Sequence, residues 1–359
     1  MPARRTPLLD DHRALGARLT DFAGWEMPLS FSGVVAEHNS VRNSAGVFDV
    51  SHLGKLRVSG ARAEAAVQEA LTADVGALDV GRATYALVLN ERGGCIDDVF
   101  VYRVASDEFI VVPNAANVER VANAIRSSGG DPVDEWDRWA ILALQGPGSF
   151  EVFESVFPGS GATQLPLHGW CDLDVEGSRG WVARTGYTGE RGFELYAPSE
   201  VAPAAFRSLI DAGATPAGLG ARDTLRLEMG YALYGHELTD DINPLEARLG
   251  WVLAWDTEFR GRTVLLGVKE KGPARRLFGI KCRDRGVPRA GYPVVRSGRR
   301  VGVLTSGNYS PTLRTGIGLA LGPAATLPAP GERAGIEARS RLIEGDIVKP
   351  PFLDRKSGN

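Results

Sequence analysis

The chain has 359 residues, of which 43% are hydrophobic and 24% charged, with a net charge of −3 at pH 7. That length suits two or three packed units rather than one core, and the apolar fraction excludes a wholly disordered chain. The nearly balanced charge gives no electrostatic reason for nucleic acid or anionic lipid to be the main partner, because both reward a basic face.

Residues 8–19 mix Ala, Leu and charged side chains at helical spacing. Gly and Pro then interrupt Asp21-Phe22-Ala23-Gly24-Trp25-Glu26-Met27-Pro28, which reads as a packed loop. A helix is predicted over 36–43, a short buried strand over 46–50, another strand over 55–59 and an Ala-rich helix over 61–71. The most legible unit is a hairpin of two strands, 84–89 and 95–103, joined by Asn90-Glu91-Arg92-Gly93-Gly94. A two-residue turn at Gly93-Gly94 sets Arg92 opposite Cys95 and Tyr85 opposite Tyr102. Alternation along the strand puts Asp98, Phe100 and Tyr102 on one face, joined by Tyr85, with Val99 and Val101 on the other. A strand over 109–112 and a helix over 118–126 follow. Further β structure is predicted over 136–144 and 181–196, and helices over 201–212 and 222–233.

Lys271-Gly272-Pro273-Ala274 is the natural linker, since both breakers occur there. Beyond it, short strands at 277–281, 292–295, 300–305 and 316–321, separated by Gly and Pro, suggest a small β-barrel or sandwich. The main boundary is placed near Pro273, giving regions 1–272 and 273–359. The order of elements indicates a mixed α+β fold rather than a doubly wound parallel sheet.

Cys95, Cys171 and Cys282 are widely spaced and form no Cys-x-x-Cys pair, so neither a disulfide framework nor a thiolate metal site is suggested. The start, Met1-Pro2-Ala3-Arg4-Arg5-Thr6-Pro7, is not followed by an apolar stretch of signal length, and no later stretch is long enough to span a bilayer. A cytoplasmic protein is expected. There is no Gly-x-Ser-x-Gly elbow, Walker A run, His-Glu-x-x-His helix or strand-leading Gly-x-Gly-x-x-Gly, and His12, His38, His52, His168 and His236 are far apart.

Asp97 and Asp98 fall on opposite faces of their strand, so one is expected to be exposed or structural. Asp98, on the aromatic face, suits the N–H groups of a flat ligand; two acids closing a solvated hairpin is the plainer reading. In Arg184-Thr185-Gly186-Tyr187-Thr188-Gly189-Glu190-Arg191-Gly192-Phe193-Glu194-Leu195-Tyr196, Glu194 and Tyr196 share a face, and Glu194 is placed to accept a hydrogen bond from a heterocycle's amino group unless this is only a turn and a surface strand. Gly218-Leu219-Gly220-Ala221-Arg222 opens a helix with a cation in its first turn, which the helix dipole opposes. Arg222 therefore engages a carboxylate, of the protein or of a ligand. The segment Ser306-Gly307-Asn308-Tyr309-Ser310-Pro311-Thr312-Leu313 reads as a polar turn.

Six segments, taken together and in order, carry a resemblance: Asp21 to Pro28 as above, Phe48-Asp49-Val50-Ser51-His52, Gly93-Gly94-Cys95-Ile96-Asp97-Asp98, Arg184 to Glu190, Gly218-Leu219-Gly220-Ala221-Arg222-Asp223 and Thr305-Ser306-Gly307-Asn308-Tyr309-Ser310-Pro311-Thr312. The chain resembles the aminomethyltransferase, or T-protein, family of the glycine cleavage system over nearly its whole length. The resemblance implies a three-lobed folate-binding fold with two interleaved N-terminal lobes and a C-terminal β-barrel lobe. It implies transfer of the methylene unit from aminomethyl-lipoyl H-protein to tetrahydrofolate, with release of ammonia. Carried onto this sequence, it makes Asp98 the catalytic carboxylate and puts Tyr85, Phe100, Tyr102, Asn114, Tyr187, Glu194 and Arg222 around the folate, with no metal, nucleic acid or membrane as partner. Pro113 stands where the family has Val, and Pro351-Phe352-Leu353-Asp354-Arg355 lacks the family's usual aromatic or Arg, so no ligand contact is assigned there. Two other readings share the scaffold. One is a folate-dependent demethylase of a small methylated substrate. The other is a folate-binding accessory protein of iron–sulfur assembly, whose usual cysteine is missing from Thr185-Gly186-Tyr187-Thr188-Gly189-Glu190.

Overall fold

The structure is a computed structural model that describes residues 3–339 and 341–354. The Met1-Pro2 start and residues 355–359 of the expected C-terminal region, Arg355 included, lie outside the described residues.

Two sheets stack face to face. One has six strands in the order Trp170–Val175, Ser178–Ala183, Gly192–Pro198, Trp139–Gln145, Gly46–Asp49 and Thr215–Pro216. The other has five, in the order Ala83–Leu89, Cys95–Ala105, Glu108–Val112, Leu56–Ser59 and Pro132–Asp134. The alternation of side chains sorts the core into three layers. Val47, Leu142, Leu144 and Leu195 turn outward from the six-stranded sheet onto the helices Ser149–Val156 and Ala202–Asp211. Their neighbours Phe48, Ile141, Ala143 and Tyr196 turn inward and meet Tyr102, Ile110 and Val112 of the five-stranded sheet. The opposite face of that sheet, with Val99, Val101 and Val111, is covered by the helices Ala63–Ala70 and Val118–Ser127. Because both faces of Trp139–Gln145 are covered, every residue in it is buried, which explains its unbroken apolar run. Fully buried Phe48, Tyr102 and Tyr196 each contribute roughly 1.5–3 kcal/mol by leaving water.

The two sheets are interleaved in sequence. Gly46–Asp49 is bonded antiparallel to Trp139–Gln145 and parallel to Thr215–Pro216, while the five-stranded sheet is built from the chain between them.

The C-terminal region forms a closed six-stranded barrel, in the order Arg275–Cys282, Thr315–Pro323, Arg299–Ser310, Pro293–Arg296, Arg333–Ala338 and Arg341–Val348. Leu277, Ile317 and Leu319 on its wall pack against Leu227 of the helix Leu219–Glu228. Glu228 then fastens three parts of the molecule. Its carboxylate accepts hydrogen bonds from Arg42 Nε (3.1 Å) and Nη2 (2.9 Å) of the helix Val34–Asn43, and from Ser310 Oγ (2.5 Å), Thr312 N (3.1 Å) and Thr312 Oγ1 (3.0 Å) of the barrel.

Several sequence expectations are corrected. The helix over 8–19 stops at Ala14, and Arg18–Phe22 leaves it to pair with Trp25–Ser30. The supposed loop at 21–28 is thus a hairpin, with Ala23 and Gly24 at positive φ forming its turn (51° and 81°). In the Asp98 hairpin, Leu89 pairs with Cys95 and Tyr85 with Phe100, so the pairing of Tyr85 with Tyr102 is overturned. The reason is Asn90, whose Oδ1 accepts the N–H groups of Arg92 (2.9 Å) and Gly94 (3.1 Å) and closes a longer loop than a two-residue turn. The shift is by two residues on the partner, so the face assignments survive. Of the polar turn expected over 306–313, residues 306–310 belong to a barrel strand and only 311–313 turn. The helix Arg262–Lys271 was not foreseen.

Candidate active site

A cavity of about 870 Å³ lies where the seam between the sheets meets the helix Leu219–Glu228 and the barrel. Its wall includes Asp98, Tyr85, Phe100, Asn114, Tyr187, Glu194 and Arg222. Seven of the eight residues singled out in the sequence are therefore brought together. Tyr102 is the exception. It is fully buried behind the wall, where its hydroxyl receives a hydrogen bond from Tyr196 Oη (3.2 Å) and lies 3.4 Å from Thr185 Oγ1. Tyr196, one position beyond Glu194 on the same strand face, occupies the wall instead. The aromatic alternation located the right face but did not say how deep along the strand the cavity reaches.

Asp98 is held from two sides. Tyr85 Oη donates to its Oδ2 (3.1 Å) and Asn114 Nδ2 to its Oδ1 (3.0 Å). Burial pushes its carboxyl up to about 6, against the hydrogen bonds from Tyr85 and Asn114 and the positive charge of Arg222. Tyr85 also stacks on Trp251, an indole that is 72% exposed, with ring centroids 6.0 Å apart.

Of the two alternatives for the second acid, exposed or structural, Asp97 is the structural one. It does turn away from the aromatic face, but it is completely buried and accepts hydrogen bonds from Asn114 N (2.9 Å), Asn114 Nδ2 (2.9 Å) and Asn117 Nδ2 (2.8 Å). Burial, and then repulsion from Asp98, raise its carboxyl above the usual range. Pro113, which stood against Asn114, does no harm: it ends the strand Glu108–Val112 and leaves Asn114 extended (φ −63°, ψ 146°) with its side chain on both carboxylates.

Glu194 sits on the neighbouring sheet and accepts one hydrogen bond, from Thr185 Oγ1 (2.6 Å); burial raises its carboxyl too. The turn before it packs tightly: a Cβ on Gly186 would lie 2.0 Å from Gln145 Oε1, so a larger residue there has to displace a buried amide that Thr188 Oγ1 and the Thr185 carbonyl hold. The Tyr187 hydroxyl donates to the carbonyl of Ala232 and its ring lies 4.8 Å from the Arg222 guanidinium carbon. Arg222 has no ion pair among the described residues, and its Nη1 is buried without a hydrogen-bond partner. The guanidinium stands instead in the joint field of Glu194, Tyr187 and Asp98.

The barrel supplies wall residues that sequence reasoning missed: Arg289, Ser306, Asn308 and Tyr309. The signal for the last three was the polar run 306–313, which looks like any turn until the barrel is docked; Arg289 had none. Asn308 Nδ2 donates to Asp223 Oδ2 (2.9 Å), tying that wall to the helix that carries Arg222. His52 was also passed over. It is buried at the wall, and burial, with repulsion from Arg222, lowers its imidazole to about 3, so it is neutral.

A three-lobed mixed fold with a capping β-barrel, and a deep cavity pairing the carboxylates of Asp98 and Glu194 with the guanidinium of Arg222, define a binding chamber for a flat, polar-edged ligand. Comparison with known proteins identifies which one. The family model for the GCVT N-terminal domain matches residues 8–257, and that for the glycine cleavage T-protein C-terminal barrel domain matches 275–354. The chain belongs to the glycine cleavage T-protein family. It is 46% identical over 360 residues to an aminomethyltransferase of Mycobacterium tuberculosis, covering 98% of this chain and 97% of that one. It is 42% identical over 358 residues to an aminomethyltransferase of Halothermothrix orenii, covering 98% and 100%. The crystal structure of the glycine cleavage system aminomethyltransferase T from Bartonella henselae superposes with a TM-score of 0.92 at 32% identity, covering 99% of each chain.

Proposed function

We propose that the chain is the aminomethyltransferase of a cytoplasmic glycine cleavage system. It takes the one-carbon unit from an aminomethyl group on the lipoyl arm of an H-protein, passes it to tetrahydrofolate and releases ammonia. The observation that carries this reading is the half-buried Asp98 carboxylate at the cavity wall, fixed by Tyr85 and Asn114. The chamber suits a reduced folate: Glu194 has acceptor capacity left over, Arg222 Nη1 has no partner, and Tyr85, Phe100, Tyr187 and Tyr196 offer flat walls. When bound, tetrahydrofolate supplies the nucleophilic nitrogen that takes up the one-carbon unit.

The protein's own part is positioning and electrostatics. Asp98, ionised, stabilises positive charge that develops on the aminomethyl group as ammonia leaves. Glu194 and Arg222 orient the polar edge of the folate, and the aromatic walls keep water from the reactive carbon. Tyr102 supports Tyr196 from behind. We also take 1–272 and 273–359 as the units of the chain, since the helix Arg262–Lys271 ends and the first barrel strand begins on either side of the division.

The test is to supply aminomethylated H-protein with and without tetrahydrofolate and measure methylene-tetrahydrofolate and ammonia. Rapid, folate-dependent formation of both is expected. A small N-methylated amine offered in place of the H-protein is expected to give neither, and turnover of such an amine alone would favour a demethylase.

A further inference from the structure

The carboxylate that faces away from the cavity is wired to the one that faces it. Asp97 is completely buried on a strand face otherwise occupied by Val99, Val101, Ala86 and Val88, where a carboxyl group is costly to keep. A hairpin needing only packing would carry valine there. Instead, both oxygens of Asp97 are spent on one neighbouring segment: Oδ2 on the Asn114 main-chain N–H, and Oδ1 on Asn114 Nδ2 and Asn117 Nδ2. Asp97 therefore pins Asn114 at both its backbone and its side chain. The same Asn114 Nδ2 reaches Asp98 Oδ1 at 3.0 Å and the Asp98 carbonyl at 3.2 Å. Two consecutive links, both through Asn114, join the hidden acid to the cavity-facing one, and no other side chain among the described residues bridges the pair.

We propose that Asp97 is a positioning residue for the transfer reaction, holding the Asp98 carboxylate in its substrate-facing orientation through Asn114. The inference rests on the reading that Asp98 serves that reaction. It reverses what strand alternation alone implies, namely that exchanging Asp97 for Asn matters little. Asparagine at 97 presents an NH₂ group where a second oxygen now accepts, so one of the Asn114 donors loses its partner and the amide is free to rotate away from Asp98. Asp97 is the second of the pair to ionise, because burial and repulsion from Asp98 raise its carboxyl to about 8. The other charged or titratable groups that bear on Asp98 are Cys95 of its own strand, Tyr85 of the adjacent strand, Tyr187 of the turn before Gly192–Pro198, and Arg222 of the helix Leu219–Glu228. With those unchanged, loosening the Asn114 hydrogen bond, which favours the ionised form of Asp98, moves the Asp98 titration to higher pH.

The experiment compares wild type, Asp97→Asn, Asn114→Ala and the double variant, each checked for cooperative unfolding. Turnover, KM for tetrahydrofolate and the pH titration of the Asp98 carboxyl carbon by NMR are followed. Asp97→Asn is expected to lower kcat at least tenfold while KM for tetrahydrofolate changes less than threefold, and to move the Asp98 titration to higher pH. The double variant is expected to be no slower than the slower single variant, because both break one chain of contacts. A kcat within twofold of wild type, or losses that multiply in the double variant, would overturn the proposal. If Asp97→Asn does not fold, Asn117→Ala carries the test, since it loosens Asp97 and leaves Asn114 and Asp98 intact; a threefold or greater fall in kcat at constant KM is expected, and an unchanged kcat overturns the proposal. A wild-type protein that forms no methylene-tetrahydrofolate refutes the assigned reaction, while the NMR titration still decides whether Asp97 governs Asp98: an unmoved titration overturns the link.

Discussion

Asp98 concentrates the conflict between stability and chemistry. Its carboxyl is raised to about 6 chiefly by burial, so the folded protein binds that proton more tightly than the unfolded chain does. The sign follows: stability falls as pH rises from the ordinary carboxyl range through 6, and above that the full cost of the buried charge is present. Asp98→Asn is therefore expected to melt no lower than wild type at pH 8, and to show a flatter dependence of melting temperature on pH between 4 and 7. The same substitution is expected to reduce turnover by about a hundredfold or more, with tetrahydrofolate affinity within a few-fold of wild type. Calorimetry and steady-state kinetics on one preparation check both. Arg222→Gln makes the complementary case. It removes the positive charge that lowers both Asp98 and Glu194, so the Asp98 titration is expected to rise and tetrahydrofolate binding to weaken roughly tenfold or more, read by NMR and by isothermal titration.

At the level of elements, the hairpin that carries Asp98 is set by its loop. A Cβ on Gly94 would stand 1.8 Å from the Asp240 carbonyl oxygen, and Cys95 N–H bonds to the carbonyls of Thr239 (2.9 Å) and Ile242 (3.2 Å). Gly94→Ala is expected to cost about 2–4 kcal/mol in urea unfolding, because backbone, not a flexible side chain, must move. This hairpin also marks how far sequence reasoning goes. Its existence, and the face on which Asp98, Phe100 and Tyr85 lie, follow from a period of two that survives any even shift. The register does not, because it depends on how Asn90 folds back on its own loop, and no periodicity encodes that. The fate of Tyr102 was hidden for a similar reason: Tyr196, from the other sheet, covers it, and which tyrosine reaches the cavity is decided by how two sheets are offset. The hairpin at 18–30 was missed because its Gly and Pro resemble loop signals, while the paired residues Phe22 and Trp25 were the better guide.

For the whole molecule, the cavity exists only while barrel and body stay docked, and Glu228 is the fastening point. Burial alone would raise its carboxyl, but the hydrogen bond and charge of His38, the Ser310 hydroxyl and the Arg42 guanidinium reverse that and depress it to about 2. A depressed carboxyl contributes stability that is complete above its unfolded value near 4.5 and is lost as pH falls toward 2. Glu228→Gln leaves Arg42 with one carboxylate, that of Glu190, and is expected to lower stability by about 3–5 kcal/mol at pH 7. The deficit is expected to shrink steadily below pH 4.5, which denaturant titrations at pH 7 and pH 3 would check. None of this clamp was visible in the sequence, since Arg42, Glu228 and Ser310 come from three distant segments and each looks like ordinary surface polarity.

The interleaving of the two sheets has a consequence for how the chain comes off the ribosome. The five-stranded sheet is drawn from one continuous stretch and has all its strands once Pro132–Asp134 has emerged. The strand Gly46–Asp49, made earlier, must wait for Trp139–Gln145 on one edge and for Thr215–Pro216 on the other. During synthesis the half of the chamber bearing Asp98 is thus able to form well before the half bearing Glu194, and an early apolar strand, Gly-Val-Phe-Asp, is left with both edges open in the meantime. Exposure of that strand to wrong partners is therefore expected during synthesis rather than after release.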